Sequence, residues 1–248
     1  MNWKSPVKSA LYRARSLLPA PAAGVVLMYH SIGDGSDLMT VAPAEFDWQL
    51  GEISSSGYCV VTLAELERML DKRAVPPKTV ALTFDDGRKD NYTNAFPVLK
   101  KYRMPATIFV ATDYIGGMFR GSYGDAPMLS AGEMHEMHGS GLIDLEPHTA
   151  SHPNMKKLSF EEAREEVVRS KEFLENMLAK ECAYFAYPHG KFTGETQEAA
   201  KAAGIRLAFS VVPGTFDAGS PRLALPRNNV DPGMPSAHFR GILERGRI

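Results

Sequence analysis

Two acidic residues, Asp85 and Asp86, close the apolar run Val80–Phe84, and about sixty residues later comes the stretch His148-Thr149-Ala150-Ser151-His152. An aspartate and two imidazoles suffice to hold a divalent metal with one position left open, which is what a catalytic zinc site requires. The neighbouring carboxylate is then free to act as a base on water at that centre. Asp-Asp-Gly is also a common turn sequence, in which Asp caps and Gly supplies a positive φ. Context separates the two readings. The pair ends a strand-like run, where successive residues point to opposite faces, so one carboxylate reaches a metal and the other a substrate. Imidazole favours zinc, cobalt, nickel or iron over magnesium or calcium, and zinc is the expected ion.

The elements that must carry these groups alternate along the chain. Val25–His30, Tyr58–Val61, Val80–Phe84, Ala106–Ala111, Leu142–Leu145, Tyr184–Tyr187 and Leu207–Val212 read as strands, with a short one expected within Leu223–Val230. Between them lie helical patterns at Glu45–Ser54, Leu63–Leu70, Tyr92–Tyr102, the stretch after Ser130, Ser159–Leu178 and Thr193–Ala203. Thr62/Glu65, Ser130/Glu133 and Ser159/Glu162 have capping-box spacing. Residues 113–129 read as a loop after the fourth strand, and Met118, Phe119, Tyr123 and Met128 on it either stack on a ligand or pack as a lid. Strand–helix alternation without repeats or linkers predicts a parallel sheet with crossover helices, closed into a single distorted (β/α)7 TIM-like barrel. His30, Asp85, Asp86, His148 and His189 all fall at strand ends, the rim on which α/β barrels build their sites.

Composition narrows the function classes. A net charge of -1 gives no support for nucleic-acid binding. No apolar run approaches a membrane span. Cys59 and Cys182 lie far apart in apolar surroundings and are expected to be buried thiols, not a disulfide framework. Residues 1–23 form a separate basic segment ahead of a domain over 24–248. Within it Trp3, Val7, Leu11, Ala14 and Leu18 fall at helical spacing, with Lys4, Lys8, Arg13 and Arg15 around them. Residues 1–18 are therefore read as a peripheral membrane contact, as a helix packed on the domain or as a frayed tail. The segment lacks the continuous apolar core of a signal peptide, and the expected location is cytoplasmic, open to membrane association.

Thr83-Phe84-Asp85-Asp86-Gly87 and His148-Thr149-Ala150-Ser151-His152 resemble the first and second motifs of the polysaccharide deacetylases, the NodB-homology group of carbohydrate esterase family four. Phe185-Ala186-Tyr187-Pro188-His189-Gly190 is similar to the third. The resemblance covers roughly residues 24–230. It implies a metal-dependent hydrolase that removes an N-acetyl group from an amino sugar of a polysaccharide or a lipid-linked glycan. It assigns Asp85 as general base and Asp86, His148 and His152 as metal ligands. Tyr187, Pro188 and His189 become the oxyanion and substrate-binding turn, with the His189 N–H as donor. Two departures stand out. The family's third motif carries an Arg two residues before its Pro, and here that position is Ala186; Arg227 is the candidate to stand in. The family's C-terminal acid histidine is also missing; the only histidine near the end of the sequence, His238, lies in what reads as a polar tail with no strand before it. Leu27-Met28-Tyr29-His30 instead resembles the branch that deacetylates poly-N-acetylglucosamine, in which the acid histidine lies near the N-terminus, so His30 is assigned as general acid. His135 and His138, on a helical stretch, are expected to face solvent. Deformylation, O-acetyl ester cleavage, metal-free cyclic amide hydrolysis and a glycan-binding barrel without turnover are the alternatives.

Overall fold

The computed structural model describes residues 23–35, 38–121 and 124–246. Residues 1–18 and Tyr123 lie outside the described residues. The strands are β1 (Gly24–Tyr29), β2 (Ser31–Ile32), β3 (Thr40–Val41), β4 (Cys59–Val60), β5 (Thr79–Phe84), β6 (Ala106–Val110), β7 (Met118–Gly121), β8 (Gly124–Pro127), β9 (Ile143–Pro147), β10 (Tyr184–Ala186), β11 (Leu207–Phe209) and β12 (Asn228–Asn229). The helices are α1 (Pro43–Ser55), α2 (Leu63–Asp71), α3 (Phe96–Tyr102), α4 (Ala131–Gly139), α5 (Phe160–Leu178), α6 (Gly194–Ala202) and α7 (Ser236–Arg245). The expected capping boxes form at Thr62, Ser130 and Ser159. No helix among the described residues is long and apolar enough to cross a membrane.

Parallel pairing runs β12-β1-β5-β6-β9, and β10 pairs with β11. A parallel bridge from Phe209 to Leu225 leads back towards β12. The seam between β9 and β10 is closed by a side chain. The Glu146 carboxylate accepts the N–H groups of Ala183 and Tyr184 at 3.0 and 2.9 Å and pairs with Lys180 at 2.6 Å. The result is the distorted (β/α)7 barrel that the sequence predicts. β4 pairs only with the first residues of β5, which is why it takes no place in the ring.

Side chains alternate along each barrel strand. Val26, Ala81, Phe109, Ala186 and Phe209 fill the interior, whose lower end α2 covers with Leu63, Leu66 and Leu70. Val25, Leu27, Tyr29, Val80, Leu82, Phe84, Ile108 and Leu145 point outward under α1, α3, α4 and α7. In β5 this phase carries Asp85 inward with Ala81. In β9 it carries Glu146, and His148 just past the strand, to the face opposite outward Ile143 and Leu145.

Three expectations change. Residues 113–129 are not a plain loop but hold the antiparallel hairpin β7–β8, and Met128 is buried while Met118 is exposed. The chain after residue 235 is not a polar tail but α7, whose Phe239, Ile242 and Leu243 enter the core. Cys59 is exposed, since the short β4 leaves it at an edge; Cys182 is buried. His135 is exposed, with its ring nitrogens on the carbonyls of Ala131 and Met177, whereas His138 is only partly exposed.

Candidate active site

Asp85 sits at the upper end of β5, 3% exposed, facing a fully buried Arg227. The guanidinium grips both carboxylate oxygens, Nη1 to Oδ1 at 2.6 Å and Nη2 to Oδ2 at 2.7 Å. Its Nε donates to the Ser210 carbonyl at 3.0 Å, and its plane lies against Phe109, 5.5 Å from the ring centroid. Bidentate pairing fixes direction as well as charge. Burial alone would raise the Asp85 pKa, but Arg227, then His148 and His30, reverse this and hold it well below the usual carboxylate range.

Asp86 leaves the strand in the left-handed region, at φ 72°, and this turns its carboxylate away from that of Asp85. Its Oδ1 lies 3.4 Å from His152 Nε2 and 3.8 Å from His148 Nε2, while its Oδ2 accepts from Arg88 Nε at 3.3 Å. The three candidate ligand atoms lie within 4.8 Å of one another. The 3.4 and 3.8 Å separations suit donors about 2.0–2.1 Å from a common ion, so the residues fit a divalent metal. His148 Nδ1 lies 2.7 Å from the Ala186 carbonyl, an outer bond that leaves Nε2 unprotonated and directed inward. Burial, the largest effect on both imidazoles, lowers His148, and together with the closeness of the His148 ring, beside which a second positive charge is disfavoured, it lowers His152 to about 4. Both rings are therefore neutral at ordinary pH, the form that ligates metal. Burial raises Asp86 less than His30, His152, His148 and Arg88 lower it.

The other sequence-derived residues divide. His30 follows β1 at the same rim, partly buried, with its carbonyl held by Asn91 Nδ2 at 2.8 Å. His189 is exposed at φ 58°, its ring 4.6 Å from that of His152. The hydrogen bonds of its turn run from Gly190 N to the Tyr187 carbonyl and from Lys191 N to the Pro188 carbonyl, leaving the His189 N–H outside them. Gly190 is required there: φ is +62° and a Cβ would come 2.2 Å from Val211. Tyr187 corrects the substrate-binding expectation. Its ring is buried outside the barrel against Phe185 and Phe192, and its hydroxyl donates to the Leu223 carbonyl at 3.0 Å. Pro188 is likewise buried and shapes the turn without facing solvent.

Phe119, one of the residues expected either to stack on a ligand or to pack as a lid, lies in the hairpin and sets its ring edge-on to His152 at 5.2 Å. Sequence reasoning missed two contributors. Asn91 begins a π-helical turn, Asn91–Ala95, a feature common near functional sites. Glu166 binds the loop between the histidines. The signal for Glu166 was available: it lies three residues after Ala163 and four before Ser170, on the buried stripe of α5.

A parallel barrel with an Asp-His-His cluster beside an arginine-clamped aspartate at its upper rim defines a hydrolase of the α/β-barrel class. Comparison with known proteins makes this specific. The family model for polysaccharide deacetylase matches residues 72–208. The protein YxkH of Bacillus subtilis is 36% identical over 225 residues, 90% of this chain and 77% of its own length. The poly-beta-1,6-N-acetyl-D-glucosamine N-deacetylase of Staphylococcus aureus is 29% identical over 199 residues, 75% of this chain and 68% of the relative. The solved deacetylase PplD of Streptococcus pyogenes, in complex with acetate, superposes with a TM-score of 0.79 at 29% identity, covering 90% of this chain and 98% of that one. The chain belongs to the polysaccharide deacetylase family and is an enzyme of that hydrolase class.

Proposed function

We propose that this protein removes N-acetyl groups from an N-acetylated amino sugar, with Asp86, His148 and His152 holding a zinc ion, Asp85 as general base and His30 as general acid. The observation that carries the reading is the pairing of the Asp-His-His cluster with a second carboxylate that Arg227 clamps in its ionised form. The Staphylococcus aureus relative, named for amide hydrolysis on a glucosamine polymer, supports an N-acetyl substrate. A divalent ion at the cluster supplies Lewis-acid polarisation of the acyl carbonyl and lowers the pKa of water.

The chain's own residues do the rest. Asp85, held ionised and oriented by Arg227, accepts the proton of the attacking water. The His189 N–H lies at the rim as a donor for the developing oxyanion. His30 gives its proton to the departing sugar nitrogen, which must leave as an amine. Phe119 walls one side of the site at His152.

The test is incubation with N-acetylated and N-formylated sugars, including β-1,6-linked glucosamine oligomers and acetylated xylan fragments, with released acetate and formate assayed after chelation and after zinc is restored. Zinc-dependent acetate release from the amino sugars, lost in Asp85→Asn, is the expected result. Release only from formyl amides or from xylan would move the substrate to the deformylase or esterase alternative. Zinc binding without release from any substrate would point to a glycan-binding barrel.

A further inference from the structure

The loop joining the two candidate metal-binding histidines is bent against its own preferences. Thr149 and His152 have φ of 66° and 57°, a region that non-glycine residues seldom occupy unless their surroundings impose it. Those surroundings can be traced bond by bond. The carbonyls of Thr149 and Ala150 accept from the N–H groups of Thr112 and Asp113, and the Ser151 carbonyl accepts from the Tyr114 hydroxyl. The His152 N–H donates to Thr149 Oγ1 at 3.0 Å, a bond internal to the loop.

The two central N–H groups are met by a single residue from a distant helix. Ala150 N and Ser151 N donate to Glu166 Oε2 at 3.0 and 2.9 Å, and the Ser151 hydroxyl donates to Oε1 at 2.9 Å. Arg169 Nη1 stands 3.7 Å from Oε1, and its Nη2 binds Asp113, whose N–H holds the Ala150 carbonyl. Hydrogen bonds to a carboxylate are roughly twice as strong as neutral ones. His148 has independent anchors, its N–H on the Val110 carbonyl and its Nδ1 beside the Ala186 carbonyl. Among the described residues the backbone of His152 is anchored within the loop alone, so its imidazole depends on the loop keeping its shape.

We propose that Glu166 is a positioning residue for the metal centre: its carboxylate templates the 149–152 turn so that His152 converges with His148 and Asp86 before an ion arrives. The inference rests on the metal-binding reading above and adds a residue that touches neither metal nor substrate. Without this acceptor two amides must seek water, and the left-handed residues lose the one charged partner among the contacts that hold them bent.

The experiment measures zinc affinity of the metal-free full chain by competition with a chromophoric chelator, alongside thermal melting of the same metal-free protein. Glu166→Ala should weaken zinc binding by about 10–100-fold, the range for lost outer-shell partners, while Glu166→Gln stays within about threefold because its amide oxygen can accept both N–H groups. Glu165→Ala, an exposed neighbour on the same helix, should leave affinity unchanged. Glu166→Asp, one methylene shorter and unable to reach both amides, carries the test if the alanine variant does not fold, and should also bind more weakly. Wild-type affinity in the folded alanine or aspartate variant would overturn the proposal. So would a glutamine variant that melts like wild type yet binds as poorly as the alanine variant. If the wild-type protein itself took up no zinc, the metal reading would fail, an outcome distinct from failure of the anchor alone.

Discussion

Removing the Arg227 guanidinium tests the electrostatic core of the site. Arg227 is fully buried and Asp85 nearly so, and the two are joined by hydrogen bonds of 2.6 and 2.7 Å. Arg227→Met keeps much of the volume but leaves a buried carboxylate without its strongest partner. Breaking a buried pair in this way costs about 3–5 kcal/mol. For a chain of this size each kcal/mol moves the melting temperature by about 2–4 °C, so the variant should melt about 6–20 °C lower. The pH dependence has a definite sign. In the wild type the folded pKa of Asp85 is depressed. The pair's contribution is therefore complete above the unfolded carboxylate value of about 3.9, and it is lost as pH falls below that towards the folded value. In Arg227→Met, burial is opposed only by the histidines, and the folded pKa rises above the unfolded one. The folded state then binds the extra proton, and the deficit relative to wild type should shrink as pH falls from 7 to 5. Adding Asp85→Asn removes the orphaned charge and should recover most of the lost stability, because replacing both members of a buried pair is often near neutral. The assay is calorimetry of metal-free wild type, the two single variants and the double variant across that pH range. A deficit that stays constant with pH, or that Asp85→Asn fails to relieve, refutes the reasoning.

Four further outcomes follow from the same geometry. Asp85→Asn should lower turnover by about 10²–10⁴-fold while zinc content, measured by atomic emission, stays unchanged, because Asp86 and the histidines hold the ion. His30→Ala should slow N-acetyl sugar hydrolysis but spare an activated aryl acetate, whose phenolate leaves without a proton; equal losses on both substrates would remove His30 from the acid role. Glu146→Ala opens the β9–β10 seam, stranding the N–H groups of Ala183 and Tyr184 while the Lys180 ammonium keeps Asp144; urea titration should show a loss of about 2–6 kcal/mol. His152 is held at about 4, so its contribution is present above the unfolded histidine value of about 6.5 and disappears as pH falls to about 4. That is on the order of 3 kcal/mol, and His152→Asn should flatten the stability curve of the metal-free protein across that window.

The strand periodicity that made the barrel legible also delivered the site. Asp85 and His148 could be placed on one rim because each ends an apolar run, and a period of two then fixes which face it takes. The alternation of strands and helices carried the topology because parallel strands need crossovers. What stayed hidden depends on contacts distant in sequence. Arg227, 142 positions from Asp85, came into view only as the stand-in for the arginine that the third motif lacks, since nothing beside it in the chain announces its partner. Nothing in the turn Tyr187-Pro188-His189 says that the tyrosine faces outward; that follows from the alternation in β10, where Phe185 and Tyr187 share the outer cluster and Tyr184 and Ala186 the inner one. The seam between β9 and β10 has no strand pattern because a glutamate side chain replaces the ladder.

The backbone of the site was the least legible part, and for a physical reason. Asp86, Thr149, His152 and His189 all adopt positive φ, positions where local preference would place glycine or asparagine. A helix or strand is favoured by its own residues, so it shows in them. These four conformations are disfavoured by their own residues and persist through what surrounds them: Arg88 on Asp86, the carboxylate of Glu166 on the loop between Thr149 and His152, and the turn closed by Gly190 around His189. Sequence logic locates the donors of a metal site, and it fails where the chain departs from local preference to aim them. The same departure explains why the supporting residues matter. A ligand on an unstrained strand keeps its direction when a neighbour is lost, whereas one on a left-handed turn does not, so His152 should be more sensitive than His148 to changes outside the metal's reach.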